Sequence, residues 1–234
     1  MKVIQPNCRI QFTAEDVSFI QRTLGRDAGD QKFLAELLVD PTSRDVILDD
    51  AKLLKALLEG TGCLRVSTHF YFYVVVRAVL RPAGIEDRVV ADYVAELLTE
   101  FSGTDRSRCV IEGRDQSLDY FFEMLAALQN ADDRTRFCIR AHIGNYSLFL
   151  SGVFSDRIRH RAEQKGFPDI NYFRDLGRSS YRIASDHRLA ERYELAAIYD
   201  TLSSQFERTR QALHDLSERI FCLGDPPVPI LQRC

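Results

Sequence analysis

The spacing of apolar residues constrains this chain most, because they recur every three to four residues along nearly its whole length. That period is typical of amphipathic α-helices, whereas a half-buried strand alternates with a period of two. We find no convincing alternating run in the sequence. We therefore expect an all-α protein, a compact helical bundle of about ten helices that includes a long C-terminal helix.

Local signals mark several of the predicted helix ends. Thr13 followed by Asp16 is a shortened capping box, and Gly25 is placed to end that first helix. Residues 67–81 are rich in β-branched and aromatic side chains, but their length favours a helix with the serine at 67 as its N-cap. Residues 86–101 form a clear amphipathic helix with one broad apolar face.

The helical period is lost in two places. Residues 102–116 gather glycines and charges, so they are a candidate for a subdomain boundary or a long surface loop. Residues 223–234 hold three of the seven prolines and predict an extended tail. Residues 1–222 are accordingly predicted to form a single all-helical domain.

The charge pattern excludes several classes of protein. The chain has 31 basic and 34 acidic residues, a nearly even balance that does not favour nucleic-acid binding. Its longest uncharged runs, residues 66–76 and 141–155, are shorter than the roughly 20 residues that cross a bilayer, so no membrane association is expected. The first residues lack a secretory signal, which predicts a cytoplasmic protein. Only five basic residues are lysines, a bias that fits a GC-rich, bacterial-type genome.

Cysteine usage agrees with that location. The six cysteines are spread over the chain without a CxxC pair, unlike a zinc knuckle or a redox dithiol. We expect reduced thiols, and the sequence indicates no particular cofactor.

Each of the two uncharged runs contains one histidine, His69 or His142. We consider a pocket between their two helices that binds a small ligand or a metal ion. The candidate ligand-binding residues are His69, Tyr73, His142, Asn145 and Arg140, and the candidate metal ligands are His69, His142, Asp119 and Glu123. The chain has no ExxH or HxxxH pair to support a helical metal site, so both histidines could equally be structural.

Arg136 and Arg140 lie one helical turn apart, with Asn145 and Tyr146 further along the same predicted helix. They could form an anion-binding wall at the mouth of such a pocket. The alternative is a solvated helix end. The basic run at residues 157–161 has the same two interpretations, a phosphate contact or a solvated face.

The last predicted helix, residues 187–221, carries apolar residues at alternating steps of three and four, a pattern typical of coiled-coil seams. The candidate interface residues of this seam are Leu202, Phe206, Leu213, Leu216 and Ile220. They predict a homodimer or a partner-protein interface. The alternative is that the seam packs on the chain's own bundle.

The chain has no nucleophile elbow, no P-loop and no glycine-rich dinucleotide turn, which does not favour an enzyme. The sequence therefore predicts a cytoplasmic protein-interaction or regulatory scaffold protein. The alternative function is a small-ligand- or metal-binding helical enzyme with its pocket between the His69 and His142 helices.

Overall fold

The computed structural model describes residues 3–60, 64–102, 121–165 and 167–222. These residues form a short 3₁₀ helix, Cys8–Gln11, and thirteen α-helices, and they contain no strand. The α-helices are α1 (Ala14–Leu24), α2 (Ala28–Leu37), α3 (Pro41–Leu48), α4 (Ala51–Glu59), α5 (Thr68–Leu80), α6 (Arg88–Phe101), α7 (Phe121–Ala127), α8 (Asp133–Val153), α9 (Ser155–Lys165), α10 (Ile170–Ser185), α11 (Arg188–Arg192), α12 (Ala196–Ser204) and α13 (Phe206–Cys222). The all-α prediction is confirmed, with more and shorter helices than expected.

Polar side chains cap the helix starts as the sequence predicts. Thr13 and Asp16 form a reciprocal capping box at α1, and the Ser67 hydroxyl accepts a hydrogen bond from the Phe70 N–H at α5. Aspartate carboxylates accept the free N–H groups at six further starts: Asp27, Asp40, Asp50, Asp87, Asp132 and Asp169. These side chains satisfy backbone donors that the first turn of a helix leaves without partners.

Two helix pairs organise the core, α5 with α6 and α8 with α10, and α13 packs against both α5 and α8. The larger hydrophobic cluster therefore draws on residues from both sides of the predicted boundary at 102–116. A smaller cluster of Met124, Ala127, Ile139 and Ile143 lies between α7 and α8. None of the helices in the described part of the chain has the length and apolar content of a membrane-spanning segment.

Small residues let α8 and α10 approach each other closely. A Cβ atom added at Gly144 would lie 2.8 Å from the Tyr181 ring, and one at Gly177 would lie 2.5 Å from the Phe206 ring. Gly177 also faces Ser147, so residues later in α8 meet residues earlier in α10. The two helices are antiparallel, and the start of α8 therefore lies beside the end of α10.

The predicted long helix over residues 187–221 is corrected to three helices, α11, α12 and α13. The first break follows from Glu194, whose positive φ of 58° ends α11, while the Leu195 N–H turns back to the Ala190 carbonyl. The second break is at Gln205, between α12 and α13. Neither position carries the glycine or proline that marks a helix end in a sequence.

The predicted seam nevertheless has a clear location. Its members Leu202, Phe206, Leu213 and Leu216 are buried in the main core, and Ile220 is half-buried against the same core. Residues 103–116 of the predicted boundary and the predicted tail, 223–234, lie outside the described residues.

Candidate functional site

The two histidines of the predicted pocket contact different parts of α6. The Nε2 atom of His69 lies 3.5 Å from Oε2 of Glu96. The His142 ring packs edge-on against Phe101, with 5.8 Å between ring centroids. Glu96 and Phe101 are five residues apart, which is about 7.5 Å along a helix. The two histidines therefore meet α6 at different levels.

Asn145 belongs to a hydrogen-bonded network in the core. Its Oδ1 atom accepts hydrogen bonds of 2.8 Å from both the Tyr93 and the Tyr181 hydroxyls. Burial raises the pKa of both tyrosines well above the usual range, so the hydroxyls keep their protons and donate. This network joins α6, α8 and α10, and Asn145 is buried within it.

Tyr73 and Glu123, two further members of the predicted set, lie on α5 and α7. Tyr73 is buried under the guanidinium of Arg9, 5.5 Å from its ring centroid. Glu123 lies half-buried on α7, and Asp119 lies outside the described residues. Within the described ranges, no group of three or more His, Cys, Asp or Glu side chains is placed to hold a metal ion.

A charged network covers the α5–α6 pair, and the spacing of residues along the chain does not predict it. Arg9, on the 3₁₀ helix, donates from its backbone N–H and its Nε to Asp92, at 3.0 and 3.3 Å. The same guanidinium donates to Asp45 of α3 at 3.0 Å. Asp92 is almost fully buried, and burial raises the pKa of its carboxyl despite the contacts with Arg9. These bonds attach the chain's first helical turn to α3 and α6.

Asp49 is the centre of the second half of this network. It accepts a 2.6 Å hydrogen bond from Arg88 and a 3.2 Å bond from Arg77, and Arg81 lies 3.2 Å away. Burial alone would raise the pKa of Asp49, but the hydrogen bonds from Arg88 and Arg77 outweigh it and hold the pKa below its usual value. Each arginine here faces a carboxylate, and the four arginines share Asp45, Asp49 and Asp92.

A cleft of about 290 Å³ opens where α8 begins and α10 ends. Its walls come from α8, from α10 and from the connections after α7 and α10. The lining residues are Leu128, Asp133, Arg136, Phe137, Arg140, Ile183, Ala184 and His187. Arg140, a member of the predicted ligand set, thus lines this cleft.

Asp133 is already occupied by partners of its own. One oxygen accepts a 2.7 Å hydrogen bond from Arg188, and the other lies 3.0 Å from Nε2 of His187. Hydrogen bonds from Arg188 and His187 lower the pKa of this carboxyl, which stays ionised. The His187 Nδ1 atom accepts the Leu189 N–H at 3.1 Å, so the ring proton is on Nε2 and is donated to Asp133.

Arg140 has no such partner. It is half-buried, no carboxylate of the described residues pairs with it, and burial lowers the pKa of its guanidinium. Arg136, one turn earlier, donates its Nε to the Leu128 carbonyl at 3.2 Å, which leaves its terminal amines available. Because Asp133 is neutralised by Arg188, the cleft carries an unbalanced positive charge.

The opposite side of the cleft is apolar. Phe137 and Ala184 are buried at its base, whereas Ile183 of α10 is 48% exposed at its edge. Sequence reasoning identified the Arg136–Arg140 pair but placed it beside Asn145 and Tyr146. It missed Ile183 of α10 and His187, the N-cap of α11, which lie more than 40 residues further along the chain.

Comparison with protein-family models, with curated proteins and with solved structures finds no match to this chain.

Proposed function

We propose that this chain binds a small organic anion in the cleft formed by α8 and α10. The observation that supports this is Arg140, a half-buried guanidinium that faces a cavity without a carboxylate of the described residues as partner. Removing a charge from water costs free energy unless a counter-charge and hydrogen bonds offset it. A carboxylate or phosphate group is the ligand that would supply both.

The geometry favours binding over turnover. A general base in the cleft would need a free nitrogen or oxygen facing the ligand. Both nitrogens of His187 are engaged, one by the Leu189 N–H and one by Asp133. Both carboxylate oxygens of Asp133 are engaged in turn by His187 and Arg188. We therefore propose a ligand-binding or ligand-sensing role.

The test is a titration of the protein with acetate and with inorganic phosphate, followed by isothermal calorimetry and amide NMR shifts. We expect Arg140→Gln to weaken binding by about ten- to a hundredfold, since a hydrogen bond to a charged group contributes about 1.5–3 kcal/mol. The matched control is Arg134→Gln, on the same helix but outside the cleft lining. Equal affinities of the wild type and Arg140→Gln for these anions would contradict the proposal.

Self-association is a second candidate function, and the α2–α3 region supports it better than the C-terminal helix does. No residue of α2 is buried, and this region exposes the apolar side chains of Phe33, Val39 and Val46. A contiguous exposed apolar surface formed by these three side chains would be typical of a protein contact. Light scattering over a range of concentrations should show a dimer that Val39→Lys abolishes and Phe167→Lys, a substitution of another exposed apolar residue, leaves intact.

A further inference from the structure

We infer that the ligand of the α8–α10 cleft is a monocarboxylic acid with a short apolar body, of the size of a medium-chain fatty acid or a simple aromatic acid. This inference rests on the proposed anion-binding function and narrows it to one chemical class.

The two faces of the cleft separate charge from apolar surface. Arg136 and Arg140, which pair with no carboxylate of the described residues, both belong to α8. The facing surface has Ile183 and Ala184 from α10, and Phe137 and Leu128 add apolar side chains at the base and at one side. The polar residue after α10, His187, is bound to Asp133. A ligand that contacts both faces needs an anionic group at one side and hydrocarbon at the other. Inorganic anions and sugar phosphates would leave the apolar face in contact with water.

The size of the cleft limits the ligand. Its volume is about 290 Å³, at the lower end of the range for small-molecule pockets. One water molecule takes about 30 Å³ in the liquid, so the cleft has the volume of roughly ten water molecules. We therefore expect a ligand of roughly ten non-hydrogen atoms. A nucleotide or a peptide of several residues is larger than this space.

The charge of the cleft favours a single carboxylate. Residues four apart on a helix have Cβ atoms about 6 Å apart, so Arg136 and Arg140 can each donate to one oxygen of the same carboxylate. Asp133 lines the cleft one turn before Arg136, and it is ionised. Both of its oxygens are bound by His187 and Arg188, so it offers a ligand no donor. Once Arg136 and Arg140 donate to one carboxylate, a second negative group on the ligand would find no further cation in the described lining to pair with.

The experiment is a chain-length series on the wild-type protein, measured by calorimetry with acetate, butyrate, hexanoate, succinate and inorganic phosphate as probes. A fully buried methylene raises affinity about fourfold, so we expect hexanoate to bind at least tenfold more tightly than acetate. Succinate, which has the same number of carbons as butyrate but a second carboxylate, should bind more weakly than butyrate.

Two variants locate the apolar contact. Ile183→Asn should remove most of the gain in affinity from acetate to hexanoate. Val46→Asn, which replaces an exposed apolar residue on α3, should leave the whole series unchanged. Circular dichroism confirms that each variant is folded.

Each failure has its own meaning. If acetate and hexanoate bind equally, or if phosphate binds most tightly, this inference is overturned while the anion-binding function stands. If none of the five probes binds to the folded wild type, the proposed function itself is overturned.

Discussion

The ion network over α5 and α6 and the cleft between α8 and α10 use the same residue types in opposite ways. In the network, Arg9, Arg77 and Arg88 are partly or largely buried, and each lies within 3.3 Å of a carboxylate. In the cleft, Arg140 is also half-buried, yet no described carboxylate pairs with it. The first arrangement supplies its own counter-charges, and the second leaves a place for one.

This difference separates a structural role from a recognition role. A buried pair contributes little net stability, but removal of one partner is strongly destabilising because the other charge stays buried. A single half-buried cation has already incurred part of the desolvation cost of binding, so an arriving anion gains more from the contact than it would at an exposed side chain. Removal of a charge should therefore lower the free energy of unfolding in the network and raise it in the cleft.

The largest expected effect is at the centre of the network. Asp49→Ala leaves Arg77 and Arg88 without this carboxylate, and we expect a loss of about 3 kcal/mol in the free energy of unfolding, measured in urea. The control is Asp200→Ala, which removes an exposed partner of Arg182 and should cost less than about 1 kcal/mol. Similar small losses for both variants would mean that the network does not stabilise the fold.

A smaller change in the free energy of unfolding is expected when the pH is lowered and the same carboxyl is protonated. Asp49 has a folded pKa below its usual 3.8, because hydrogen bonds from Arg88 and Arg77 outweigh the opposite effect of burial. Its contribution to stability is fully present above about pH 4 and is lost as the pH falls through the folded pKa. Urea unfolding of Asp49→Asn should therefore lose less stability than the wild type between about pH 5 and pH 3. A parallel decline in both proteins would contradict this assignment.

The sequence predicted the features that depend on local spacing. The period of apolar residues led to the all-α fold, and capping residues such as Thr13 and Ser67 correctly marked helix starts. The break at Glu194 was missed because a left-handed residue that is not glycine is fixed by its surroundings rather than by its own preference. For the same reason, the seam at Leu213 was compatible with both self-association and internal packing, and only the position of α8 shows which surface covers it.

The spacing of residues in the sequence could not predict the ion pairs between elements that are distant in the chain. Asp92 and Glu96 appeared as the polar side of an amphipathic helix, yet both are buried beneath the N-terminal segment and α5. The proximity of Arg136 and Arg140 could be predicted because residues four positions apart lie about one helical turn from each other. Arg9 has carboxylate partners that lie 36 or more positions away in the chain, whereas Arg140 has none among the described residues. Only the tertiary structure reveals this difference.

The smallest expected effect is a gain of stability at the cleft. Arg140→Met keeps a long, flexible side chain but removes the half-buried charge, so we expect the free energy of unfolding to rise by about 1 kcal/mol in the absence of ligand. The control is Arg134→Met, an exposed position on the same helix, which should change stability by less than about 0.5 kcal/mol. The same Arg140→Met variant should lose anion binding, so that stability and recognition change in opposite directions. A loss of stability as large as that of Asp49→Ala would place Arg140 with the structural arginines, and the contrast between the two regions would no longer hold.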